Sequence, residues 1–275
     1  MPQWRRLLAD SLLTINRLVS SNEPTSRIGK ASALVFAPHP DDEVLGCGGI
    51  IALKAQAGAR VKVVVMTDGR ASHRMQINEE TLVKMRRAEA EEAAVQLGLV
   101  ASDYIFLEFE DHQLMQHHDA ACDQVVEIIE QFDPSEVYIP HRYDGIADHV
   151  ETNRIVREAV NRIKISMILL EYPVWLWNCW PWTQSGASYA YNNIVYHALK
   201  MVRDVVEIVF ACRIRVDVSS VLHRKQAALA AYRSQTQRIN GNLGWPVLAD
   251  VAEGEFLQRF ETDIEIFRRT DRHFS

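Results

Sequence analysis

The apolar positions of this chain follow two different periods. Trp4, Leu7, Leu8, Ile15, Leu18 and Val19 recur at helical spacing among Arg5, Arg6, Asp10 and Arg17, which predicts an amphipathic helix at the N-terminus. Past the polar break from Ser20 to Ser26 the pattern changes. Ala33 to Ala37 is a short, continuous apolar run ahead of a proline, as expected of a strand buried on both faces. A helix from Val44 to Ala57 follows, with Gly46, Gly48 and Gly49 letting its start lie close against a sheet. Val61 to Met66 then reads as a second strand, ended by Thr67-Asp68-Gly69. The unit repeats with a charged amphipathic helix from Glu79 to Leu97 stopped by Gly98, and a strand at Tyr104 to Glu108. A helix near Cys122 to Gln131 and a strand at Glu136 to Ile139 come next. Alternation at these intervals predicts an α/β fold: a Rossmann-like, mostly parallel sheet flanked by helices.

Beyond Ile163 the pattern is less regular. Ile165 to Leu170 is a buried-type run, and Trp175, Trp177, Trp180 and Trp182 crowd around Pro173 and Pro181. Core or subunit packing and stacking on sugar rings are both open to these aromatics. Helices over Val221 to Gln235 and Glu253 to Arg269 are expected to close the chain. We read the whole as one domain over residues 1–275, with the amphipathic helix within 1–28 and a C-terminal elaboration over 163–275.

Composition narrows the function classes. Of 275 residues, 48% are hydrophobic and 24% charged, which supports a large core. A net charge of −6 without long like-charged blocks gives no footprint for a nucleic-acid backbone. Cys47, Cys122, Cys179 and Cys212 form no CxxC pair, so neither a disulfide framework nor a thiolate zinc site is expected, and a cytoplasmic location fits. No apolar run reaches the roughly 18–20 residues of a membrane span, so no transmembrane segment is expected. The N-terminal helix is expected to pack on the body of the protein or on a second copy in a homo-oligomer; the competing reading lays it on a membrane surface.

A parallel sheet binds ligands beyond the carboxyl ends of its strands. After the first strand stand His39, Asp41, Asp42 and Glu43, an imidazole and three carboxylates on one loop. Such a cluster repels itself unless a cation sits in it, and a divalent metal would answer that repulsion; the competing reading has Asp41 and Asp42 merely capping the next helix. After the last strand of the series, His141 and His149 lie within Pro140 to His149 and can converge on the same edge. Two imidazoles and a carboxylate with a position left open to water make a catalytic zinc set, and a nearby carboxylate outside the set, Asp41, is the natural base.

These residues resemble the LmbE-like or PIG-L deacetylases. Ala37-Pro38-His39-Pro40-Asp41-Asp42-Glu43 matches the family's A-x-P/H-x-D-D-E loop, and Leu45 to Gly49, Thr67-Asp68-Gly69, Arg86-Arg87-Ala88-Glu89, Asp148-His149 and Lys225 to Gln235 extend the match. The resemblance implies an LmbE-like fold, one zinc ion on His39, Asp42 and His149, Asp41 as general base, and a zinc-bound water as nucleophile. It implies that Asp148 supports the site imidazoles and that Arg86 and Asp111 hold sugar hydroxyls. The implied reaction removes the N-acetyl group of an N-acetylglucosamine-like sugar or glycoconjugate, a linear amide. An amidase on a thiol-sugar conjugate and a catalytically weak Rossmann-like sugar- or nucleotide-binding protein are the alternatives.

The chain departs from the family at one position. Where relatives carry a histidine that steadies the developing oxyanion, this chain has Ile146. His141, ahead of Arg142 and Tyr143, is the expected replacement. His73, with Arg70 and Arg74, fits either a substrate contact or a solvated basic loop, and His117, His118 and His273 are expected at the surface.

Overall fold

The computed structural model describes residues 1–22, 29–163, 165–184 and 194–272. His273 lies outside the described residues. The first helix, α1, spans Gln3–Val19 and is followed by the two-residue strand β1, Ser21–Asn22. Then come β2 (Ala33–Ala37), α2 (Asp42–Gln56), β3 (Val61–Thr67), α3 (Glu79–Leu97), β4 (Tyr104–Phe109), α4 (His118–Phe132), β5 (Glu136–Pro140), α5 (Ala147–Arg162) and β6 (Met167–Tyr172). The C-terminal part adds α6 (Ile194–Val206), β7 (Ile214–Asp217), α7 (Leu222–Ala231), the one-turn α8 (Arg233–Thr236) and β8 (Ile264–Arg272).

The strands form one sheet in the order β1-β7-β8-β6-β5-β2-β3-β4. Strands β4, β3, β2, β5 and β6 are parallel, while β8 runs antiparallel to both β6 and β7. Side chains alternate between two cores, as the strand period requires. Ala33 and Val35 of β2 and Val61, Val63 and Val65 of β3 face one apolar cluster with α2, α3 and α7. Leu34, Phe36, Val64 and Met66 face a second cluster with α4 and α5. The chain leaves β2 toward β3 on one side, with β5 pairing on the other, so the order reverses between β2 and β5. That switch point is where such a sheet opens a crevice.

Local signals explain the well-placed elements. Asn78 accepts a hydrogen bond from the Thr81 N–H, and Gly98 ends α3 at φ 89°, a left-handed cap that glycine adopts without penalty. At the start of α2, Gly46 lies against the Tyr172 ring, and a Cβ there would come within 2.1 Å of it.

Two expectations are corrected, and the seating of α1 on the body of the protein differs from its pattern in detail. The segment expected as a helix from Glu253 to Arg269 holds short 3₁₀ turns and then strand β8. Ile264-Glu265-Ile266-Phe267 completes the sheet between β6 and β7, and the buried Glu265 carboxylate accepts the N–H groups of Gly49 and Ile50 at 2.7 and 2.9 Å and pairs with Lys225. The helix expected over Val221 to Gln235 breaks at Tyr232, whose ψ of 63° is not helical. In α1, Trp4, Leu7 and Leu18 are exposed, while Arg5, Ala9 and Asn16 are buried. Arg5 pairs with Glu255, and the Asn16 amide donates to the carbonyls of Ile208, Val209 and Cys212. Polar contacts thus orient this helix against its own apolar stripe.

Gly46→Ala sets about 1 kcal/mol of gained helix propensity against overpacking on Tyr172. The Tyr172 hydroxyl is tied to the Phe36 carbonyl at 2.7 Å, so the ring has little room to yield. Overpacking should win, with a net loss of about 1–3 kcal/mol read from urea midpoints.

Candidate active site

The loop between β2 and α2 places its acidic residues by backbone strain and buried hydrogen bonds. Asp41 has φ 120°, a conformation side-chain-bearing residues rarely adopt, and its side chain makes no capping bond to α2. The capping reading of Asp41 therefore does not hold. The Asp41 N–H donates to Glu43 at 3.1 Å, and the other Glu43 oxygen accepts the hydroxyls of Tyr104, at 3.1 Å, and Tyr232. The Asp41 carboxylate lies 3.3 Å from Arg86, which also donates to the carbonyls of Pro40 and Gly69. Burial lifts the Asp41 carboxyl to about 8 against the pull of Arg86, with Asp42 and Glu43 adding to the rise.

Asp42 sits between two imidazoles. One of its oxygens lies 3.1 Å from His39 Nδ1 and 3.1 Å from His149 Nε2. Burial opposes its ionisation, but His149 and His39 outweigh that and hold it well below the usual carboxylate range. On the far side of His39, Nε2 lies 3.1 Å from Asp111 and 3.4 Å from Asp148. His149 is fully buried, and its Nδ1 is 2.7 Å from Asp144. The other Asp144 oxygen accepts the N–H groups of Val174 and Leu176 at 2.9 and 2.8 Å. Asp144 thereby fixes which nitrogen of His149 carries the proton.

This arrangement fits a divalent ion. His149 Nε2 is buried without a hydrogen-bond partner, and a proton on Nδ1 leaves its lone pair facing Asp42 and His39. His39, Asp42 and His149 bring one donor atom each within 4.8 Å of one another, as do His39, Asp111 and Asp148. The first set, two imidazoles and a carboxylate, has the donor chemistry of a catalytic zinc centre.

The centre opens into a cavity of about 180 Å³. Its polar lining includes His39, Asp41, Asp42, Arg86, Asp111 and His112, and its apolar lining Leu45, Ile146, Trp175 and Leu248.

Of the residues expected from sequence, His39, Asp41, Asp42, Arg86 and Asp111 line the cavity, and His149 is buried against Asp42. His141 is placed elsewhere. It is fully buried, its Nδ1 accepts the Tyr143 N–H at 3.2 Å, and its Nε2 lies 3.3 Å from Glu207 and 3.6 Å from Glu171. It does not line the cavity, so the expected oxyanion role for His141 finds no geometry to support it. His73 is also no solvated loop residue: it is buried, stacked on Trp245 with centroids 4.4 Å apart, and bonded to the Pro246 carbonyl. His118 bridges Glu151 and Glu158. Trp177 and Trp182 are core residues, whereas Trp175 stacks on Phe256 and reaches the cavity.

Sequence reasoning passed over Asp144, Tyr104 and the cavity face of His112. Asp144 precedes His149 by five residues, the one signal that could have marked it. The resemblance marked Asp111 on the β4–α4 loop and Lys225 to Gln235 in the C-terminal part, but nothing in it pointed to His112 or Tyr104.

Residues 34–160, the stretch from β2 into α5 that carries both loops, match the family described as PIG-L: GlcNAc-PI de-N-acetylase. More particularly, the chain is 28% identical over 210 residues to the probable N-acetyl-alpha-D-glucosaminyl L-malate deacetylase 2 of Bacillus cereus, covering 74% of this chain and 83% of that one. Among solved structures it resembles the N,N'-diacetylchitobiose deacetylase of Pyrococcus horikoshii, with TM-score 0.63 at 19% identity over 98% of this chain and 94% of the other. It also resembles the 4-carboxy-2-hydroxymuconate hydratase of Pseudomonas putida, with TM-score 0.61 at 18% identity over 89% and 98%. Deacetylase and hydratase share the architecture, so the fold alone does not select the reaction.

Asp144→Asn should lower zinc affinity about 10- to 100-fold, because a neutral amide no longer enforces the His149 tautomer. Competition with a chromophoric chelator measures this; unchanged affinity would remove Asp144 from the site.

Proposed function

We propose that this protein is a zinc-dependent hydrolase that removes the N-acetyl group from an N-acetylglucosamine-like sugar or glycoconjugate. The observation that carries the reading is the convergence of His39, Asp42 and His149, in which the buried His149 Nε2 lies 3.1 Å from Asp42 without an aligned hydrogen bond while Asp144 holds its Nδ1. The family domain and the deacetylase relative in Bacillus cereus support the sugar amide as substrate.

One zinc ion held by His39, Asp42 and His149 would supply Lewis acidity, lowering the pKa of water toward about 7 and polarising the acyl carbonyl. The chain's own residues do the rest. Asp41 takes the proton of the attacking water as the new carbon–oxygen bond forms, then returns it to the nitrogen as the carbon–nitrogen bond breaks. Acetate and a free amine leave. Arg86 is a positioning residue, because its guanidinium is engaged by Asp41, Pro40 and Gly69. Asp111, which lines the same cavity, is placed to take a sugar hydroxyl.

A thiol-conjugate amidase would use the same residues and differs only in its substrate. A non-catalytic sugar-binding protein has no need of a base buried beside the donor set.

Asp41→Asn should lower kcat about 10²- to 10⁴-fold while zinc content stays stoichiometric. Amine release from N-acetylated sugars and glycoconjugates, assayed with zinc present, is the measurement. Activity retained in this variant would remove Asp41 as base, and an unmutated enzyme inactive on every N-acetyl sugar would remove the deacetylase reading.

A further inference from the structure

Amide hydrolysis puts negative charge on the acyl oxygen, and a hydrogen-bond donor aimed at that position supplies much of the rate. Ile146, on the cavity wall of the second loop, has no polar side-chain atom to offer. The cavity-lining side-chain donors among the described residues are few, and most are engaged or, like the Trp175 indole N–H, sit on a ring stacked against a neighbour, here Phe256. Arg86 serves Asp41 and two carbonyls. Ser72 is within reach of the Gly69 carbonyl and His73, and the Gln235 amide donates to Ser234. Both nitrogens of His39 face carboxylates.

His112 is different. Its imidazole faces the cavity, its side chain is 72% exposed, and its nearest charged neighbour, Asp111, is 3.7 Å from Nε2, beyond a hydrogen bond. Its main chain, by contrast, is fixed. The His112 N–H donates to Asp148 at 2.7 Å, and the residue sits at φ 67°, in the left-handed region that side-chain-bearing residues enter uncommonly. Asp148 in turn lies 3.4 Å from His39 Nε2. The backbone that carries this free imidazole is therefore anchored to the aspartate that backs His39.

We propose that His112 is a catalytic residue of this protein, donating a hydrogen bond to the oxyanion of the acetamide. This rests on the hydrolase reading above. The donor comes from the β4–α4 loop instead of the loop that ends β5, and it lines the cavity beside Asp111.

The test compares His112→Ala, His112→Gln and the double variant His112→Ala/Ile146→His, with kcat, KM and zinc content measured for each. His112→Ala should lower kcat about 10²- to 10³-fold with KM and zinc unchanged. His112→Gln keeps an N–H donor and should recover part of the loss, and the double variant, with an imidazole returned to the second loop, should recover part as well. A kcat for His112→Ala within about threefold of the unmutated enzyme, a change confined to KM, or loss of zinc would overturn the proposal. Those results leave the hydrolase reading standing. The substrate is the N-acetyl sugar or glycoconjugate on which the unmutated enzyme is most active; if it releases amine from none of them, the hydrolase reading fails and this proposal falls with it.

Discussion

Six carboxylates share one buried space. Asp41, Asp42, Glu43, Asp111, Asp144 and Asp148 are all less than one-tenth exposed and gather around two imidazoles. Charges taken out of water are tolerated only when paired or hydrogen-bonded, so everything near this cluster has to answer it. Glu43 is met by two tyrosine hydroxyls, Asp144 by His149 and two backbone N–H groups, and Asp148 by the His112 N–H. Asp111 accepts the Ala71 N–H and faces His39, and Asp41 faces Arg86. Two buried atoms of the cluster are left without a hydrogen bond, His149 Nε2 and Asp111 Oδ1. The first faces Asp42 and the second His39, which are the places where a cation or a substrate hydroxyl would complete the arrangement.

That requirement ties the two ends of the chain together. The loops with the acidic motif belong to β2 and β5, and some of the groups that hydrogen-bond them come from the C-terminal part. Tyr232 reaches Glu43 from the break after α7, and the main chain at Val174 and Leu176 reaches Asp144 from just beyond β6. Glu265 on β8 holds the middle of α2, the helix that starts with Asp42. The family domain alone would leave Glu43 and Asp144 short of partners, so the C-terminal elaboration is part of the site's electrostatics as well as of the sheet.

The same dependence explains what could be read from the sequence. The α3 helix was legible to the residue because both ends are local: an Asn78 cap and a Gly98 stop. The parallel strands were legible because burial on both faces makes continuous apolar runs. His39, Asp41 and Asp42 stood out because an imidazole and two carboxylates fall on one loop, and His149 because it follows a second strand whose end lies at the same sheet edge. Strand β8 was not legible, since its alternation is short and its buried Glu265 looks like a surface charge until Lys225 and α2 are in place. Nor was the seating of α1, which is decided by Arg5 and Asn16 finding distant partners against the helix's own stripe. Long-range polar contacts leave no local period.

His141 and Asp144 show the same limit within a single loop. The His141 N–H still bonds to the Tyr172 carbonyl at 2.8 Å, so this residue continues the β5–β6 ladder and its ring enters the space beside Glu171 and Glu207. Three residues later the chain turns: the Asp144 N–H bonds to the His141 carbonyl, Gly145 takes φ 80°, and Ile146 begins the helix that carries Asp148 and His149. Only after that turn do side chains point back across the β2 loop. Nearness in sequence to His149 therefore did not bring His141 to the cavity, while the β4–α4 loop, joined to this centre by the Asp148–His112 bond, places His112 among its lining residues. Leu45, Ile146 and Leu248 line the same cavity and offer no hydrogen bond from their side chains, while Trp175 adds an indole N–H.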